Sequence, residues 1–155
     1  MKFNVLIGII LFVICVSIGV IISKNYEKKR KFFEELDNFN KKLEVEVSYK
    51  KSSIIDIINE YNGQIKILLK TKFIDNQKID KNKIDFLKEN EIEFLNEYFN
   101  SIGISESESQ IKVINANSKI IQEYRTKAKI NEEKLKPLCV KLGFFAGLIL
   151  FILFL

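Results

Sequence analysis

The residues best equipped for chemistry in this chain are its carboxylates, and they are poorly placed for it. Glu44 and Glu46 are two apart, which puts them on different faces of a helix and denies them the shared site that acid–base work needs. The chain has no histidine, so the usual general base and the commonest metal ligand are missing. Its two cysteines, Cys15 and Cys139, sit in or beside apolar stretches and have no zinc spacing. No catalytic residue, metal, cofactor or small-molecule substrate is expected. A membrane enzyme using carboxylates alone lacks both converging acids and an intramembrane acid.

The charge balance removes another class. Of 25 basic residues only Lys2 and Lys141 lie outside residues 24–137, so the middle carries 23 bases against 20 acids. Arginine occurs only at Arg30 and Arg125. That is not the basic, arginine-rich face of a nucleic-acid binder. The charged faces read as solvated surface, or as contact surface for protein partners.

The ends of the sequence are different in kind. Residues 3–22 carry no charge, and about twenty apolar residues cross a roughly 30 Å hydrocarbon core. A secretory signal would have a shorter apolar core and a small-x-small cleavage site, and neither is present. Residues 142–155 are also uncharged and have no polar face, unlike a core helix. They reach only about 21 Å at 1.5 Å per residue, and Lys141 extends the span by snorkelling. The expected organisation is a transmembrane helix at 1–23, a helical domain at 24–137 and a second transmembrane helix at 138–155.

Flanking charge gives a direction. Lys24, Lys28, Lys29, Arg30 and Lys31 follow the first span, and Lys127, Lys129, Lys134, Lys136 and Lys141 precede or enter the second. The positive-inside rule places the middle domain in the cytoplasm and both termini outside. Gly143 and Gly147 form a small-xxx-small step, and Cys15, Gly19 and Ser23 repeat that step in the first span. Counted from the charged edge, Gly19 matches Gly143 in depth and Cys15 matches Gly147. These faces are expected to meet, within one chain or across chains of a homo-oligomer.

The middle reads as helix throughout. Phe32, Leu36, Phe39 and Leu43 mark one face of a first helix over 26–47. Ser52 and Ser53 offer a cap for a short helix carrying Ile54, Ile55 and Ile58. Asn62-Gly63 breaks the chain before a helix with Ile65, Leu68, Leu69 and Phe73. Residues 75–83 are a polar loop. A helix over 84–102 buries Ile84, Leu87, Leu95, Tyr98, Phe99 and Ile102 and stops at Gly103. Ser105 caps the last helix, whose buried side is Ile111, Ile114, Ile121, Tyr124 and Ala128. The polar run 131–136 is expected to stand free of the bundle, with Pro137 kinking the entry to the membrane. The fold class is therefore all-α, an antiparallel helical bundle flanked by two transmembrane helices.

Three stretches carry a resemblance. Leu43-Glu44-Val45-Glu46-Val47-Ser48-Tyr49 resembles an L-E-x-E-(I/V)-x-Y signature. Ile102-Gly103, the acidic 105–108 and Gln110 resemble an L-G-x-x-D-x-x-x-Q turn. Leu142-Gly143-Phe144-Phe145-Ala146-Gly147-Leu148 resembles an L-G-x-L-x-G-L ending. In this order, between two spans, they resemble the stage III sporulation protein AB family of endospore-forming Firmicutes, over nearly the whole chain. Ser52-Ser53-Ile54 departs from the family's Thr-Pro-Leu, and the region 75–83 is abbreviated.

The resemblance implies a non-enzymatic role in the mother-cell membrane around the forespore, in a secretion-like channel complex. It implies a cytoplasmic domain similar to type II secretion and type IV pilus platform proteins. It also implies contact with a cytoplasmic ATPase, stage III sporulation protein AA, and with other membrane proteins of the complex. Glu44, Glu46 and Tyr49 are the expected partner contacts because they match the motif. The alternative is a generic membrane-anchored helical adaptor with no sporulation role.

Overall fold

A computed structural model describes residues 2–50, 54–80, 84–102 and 107–154. Of these, 88% are helical and none is in a strand. The elements are α1 (Lys2–Val45), a π-helical turn (Glu46–Lys50), α2 (Ile54–Asn59), α3 (Gly63–Phe73), α4 (Glu89–Ser101) and α5 (Ser107–Leu153). They fall into two compact units. The first joins Met1–Arg30 with Lys127–Leu155, and the second is Lys31–Thr126.

The first unit is an antiparallel helix pair. Its outer surface is apolar: Leu6, Ile10, Ile14, Phe145, Ile149 and Leu153 are exposed large hydrophobics. Both helices are long and apolar enough to cross a membrane. Such an outside is stable in lipid, where apolar surface loses nothing by exposure. The polar run 131–136 does not stand free. Glu132 pairs with Arg30 on α1, and Lys136 donates to Glu27 at 2.8 Å. Charge opposite charge across the pair outweighs the lack of apolar side chains there. Pro137 lies inside α5, where its missing N–H deletes one backbone bond of the helix.

The second unit is a helical core built around residues 31–45 of α1. Phe32, Phe33, Leu36, Phe39 and Leu43 are all buried. Phe33 stacks on Tyr124 of α5 with ring centres 5.2 Å apart, while Phe39 meets Phe99 of α4 and Tyr61 edge-on. The buried arc of α1 is thus wider than the stripe of Phe32, Leu36, Phe39 and Leu43, because neighbours approach it from several sides. The other core positions hold Ile58, Ile65, Leu68, Leu69, Leu95, Tyr98, Ile114 and Ile121, all essentially inaccessible.

Three element boundaries differ from expectation. α1 is continuous from Lys2 rather than starting near residue 26, and α4 begins at Glu89, not at 84. Ile84 and Leu87 are buried all the same, in a turn closed by the Leu87 N–H to the Ile84 carbonyl. The late start is set by Glu91, whose carboxylate accepts the Lys88 N–H at 2.8 Å and satisfies an orphan donor there. Ile111 and Tyr124 are only half-buried. α3 begins on Gly63 itself, with φ at +70°, a backbone turn that suits glycine. The described part of the 75–83 loop is pinned, since Asn96 accepts from the Ile79 N–H at 2.9 Å and returns a bond to its carbonyl at 3.1 Å. The expected caps at Ser52, Ser53 and Ser105, and the stop at Gly103, lie outside the described residues.

Candidate functional site

Three places hold the residues that could act: the glycine seam of the helix pair, a polar cluster inside the second unit, and the motif around Glu44. In the seam the helix backbones touch. A methyl group on Gly19 would stand 2.8 Å from the Cys139 carbonyl oxygen and 3.2 Å from the Gly143 Cα. One on Gly143 would meet the Cys15 carbonyl oxygen at 2.8 Å. One on Gly147 would meet the Phe12 ring at 2.9 Å, the Phe12 carbonyl at 3.1 Å and the Cys15 Cβ at 3.3 Å. Only glycine allows this approach, because the obstacle is mostly backbone, which cannot rotate away. The structure therefore brings Gly19 to Gly143 and Cys15 to Gly147 within one chain. Ser23 is buried at the edge of the seam, its hydroxyl donating to the Val20 carbonyl at 2.8 Å.

Gly8 extends the seam and was not singled out from the sequence. It lies against Phe151, with a hypothetical methyl 3.2 Å from the ring. The signal is the spacing of Gly8, Phe12, Cys15, Gly19 and Ser23 in steps of four and three, which is one helix face.

The polar cluster also escaped the sequence reading. Asp37 is fully buried and accepts from Arg125 and Lys41, each at 2.8 Å. One turn on, Asn40 is buried and bridges two elements. It accepts from the Tyr98 hydroxyl at 2.8 Å and donates weakly to the Ile114 carbonyl at 3.4 Å. Burial pushes the Tyr98 hydroxyl far above the usual phenol range, and Tyr61 adds to it. It stays a neutral donor at every physiological pH. Such a cluster suits register-setting between α1, α4 and α5, not proton transfer. Among the described residues, no group of three potential metal ligands occurs.

The motif around Glu44 sits at a change of helix type. α1 ends at Val45 and the π-helical turn covers Glu46–Lys50. Glu44 is half-exposed, while Glu46 is buried. The backbone of Tyr49 is in the π-turn, but its side chain lies outside the described residues. Gln110 is buried, and its amide donates to the Ser101 carbonyl at 3.4 Å, tying the start of α5 to the end of α4.

An all-helical chain with a helical unit between two membrane-length apolar helices, and no metal cluster among its described residues, is a membrane protein of the helical-bundle class. The family model for stage III sporulation protein AB matches residues 72–155, more than half of the sequence, and the chain belongs to that family. The Ile102–Gln110 and 142–148 stretches lie inside the match, whereas the 43–49 motif lies outside it. The chain is thus a sporulation-related protein, which sets aside an adaptor without a sporulation role. No curated protein and no solved structure matches it.

Proposed function

We propose that this protein is a non-enzymatic assembly and coupling subunit of a secretion-like channel between mother cell and forespore. The helix pair anchors it in the mother-cell membrane around the forespore. The helical unit faces the cytoplasm and docks a cytoplasmic ATPase, stage III sporulation protein AA, beside other membrane proteins of the complex. The observation that carries this reading is membership of the stage III sporulation protein AB family, in a chain with two membrane-length apolar helices.

Glu44 is the contact to test. It is half-exposed beside the π-turn, and π-turns often mark functional positions. Glu46 is a poor probe, because reversing a buried charge perturbs folding as well as binding. Glu44→Lys should reduce ATPase recovered with the detergent-solubilised protein from sporulating cells several-fold, with the far-UV spectrum unchanged. Undiminished co-purification discards Glu44 as the docking site. Absence of any ATPase with the wild-type chain discards the coupling role.

A further inference from the structure

Lys141 stands at a depth where its charge needs an unusual counterion. The seam fixes that depth. The Cys139 carbonyl and the Gly143 Cα both lie over Gly19, so Lys141 is carried between them at the level of Gly19. On α1 the first cation after the apolar run is Lys24, five residues beyond Gly19. Lys141 therefore lies about 7–8 Å on the hydrocarbon side of that charged edge, at 1.5 Å per residue. It is exposed, and Ile18, Ile21, Leu142 and Phe145, close by in sequence to Gly19 or Lys141, are exposed apolar residues.

Among the described residues no acid neutralises it. The acids of this unit that bind cations across the pair, Glu27 and Glu132, are held by Lys136 and Arg30. Among the described residues Lys141 has no ion pair, and Glu133, the nearest acid in sequence, is eight residues away, about 12 Å along the helix. A lysine stem reaches roughly 6 Å and carries its ammonium toward the headgroup layer. Lys24 and Lys28 are exposed at that layer, one turn apart on α1, and likewise have no ion pair among the described residues. They add attraction for a negative surface.

We propose that Lys141, reinforced by Lys24 and Lys28, binds the phosphate of an anionic phospholipid headgroup. The snorkelling ammonium of Lys141 comes up to the inner side of the headgroup layer, where the lipid phosphates already lie, whereas a soluble polyanion would have to pass through that layer to meet it. The proposal rests on both helices crossing the membrane and is independent of the coupling role.

The test uses the full chain in detergent micelles, with phosphatidylglycerol or phosphatidylcholine added at equal mole fraction. The thermal midpoint should rise more with phosphatidylglycerol. Lys141→Gln should lose at least half of that difference, while Lys141→Arg and the exposed Lys112→Gln in the other unit keep it. Equal shifts from the two lipids, or an undiminished difference in Lys141→Gln, overturn the proposal. So does inorganic phosphate reproducing the shift, which would mean a soluble-anion site. Release of the chain from membranes by alkaline carbonate would instead remove the premise of spanning helices.

Discussion

At the scale of residues, the few arginines are placed where α1 meets α5. The chain carries 25 basic residues and only two are arginine. Both make ion pairs between α1 and α5, Arg30 with Glu132 and Arg125 with Asp37. A planar guanidinium holds a carboxylate with less ordering cost than a flexible ammonium. Arg125→Gln would leave the buried Asp37 carboxylate with Lys41 alone. Arg125 is itself partly exposed, so the expected loss is about 2 kcal/mol, below the range for a fully buried pair. Arg125→Lys should lose less. Urea unfolding of the detergent-solubilised chain reads both.

Glu35 makes a pH-dependent contribution of the opposite sense. Burial, and then the charge of Glu34, raise its pKa above 4.5, with Lys31 partly offsetting them. The folded state therefore holds this proton more tightly than the unfolded chain, and stability falls as pH rises through the window above 4.5. Glu35→Gln should melt higher than wild type at pH 7, by about a degree or two given its partial exposure, and the gap should close below pH 4.5. A gap that persists at pH 4 would rule out titration of Glu35 as its source. The burial of Tyr98 was legible in the sequence, but that of Asp37 and Asn40 was not. Periodicity counts a polar residue as solvent-facing, and the buried arc of α1 is wide enough to enclose Asp37 and Asn40.

At the scale of elements, the helices were legible where apolar spacing was regular. The faces at Phe32–Leu36–Phe39–Leu43 and at Ile65–Leu68–Leu69 are buried as their spacing requires. Boundaries were less legible where a local hydrogen bond decides them. The start of α4 depends on Glu91 capping Lys88, and lysine is not a residue that announces a helix start. The π-turn has no sequence signature at all. The seam offers a direct check on element packing. The Cys15 Cβ and a Cβ placed on Gly147 would be 3.3 Å apart, close to the separation in a disulfide. Gly147→Cys, once the Phe12 ring has turned aside and the helices have eased apart by a few tenths of an ångström, should form a disulfide with Cys15 inside one chain on mild oxidation in membranes. A dimer band in place of the intrachain product would mean that the seam joins two chains.

At the scale of the whole molecule, two long apolar helices were visible in the sequence as uncharged runs, and the family match supports the two C-terminal motifs. The partition of the chain was less visible. Residues 24–30 and 127–137 group with the helix pair, held by ion pairs that no hydropathy pattern reveals. Sidedness follows from lysine placement alone and has a simple test. A cysteine introduced at the exposed Asp80, labelled with an impermeant thiol reagent, should stay unmodified in intact cells and react after permeabilisation. Labelling in intact cells would reverse the orientation.

The contact of Gly19 with Gly143 has a consequence for permeation. Each glycine lies so near the opposite backbone that a methyl group would collide with it. The two helices therefore leave no lumen between them at that level, not even one wide enough for water. If cargo passes through an assembly containing this chain, its path runs along the outer flanks of the helix pair or through other subunits, and never between these two helices.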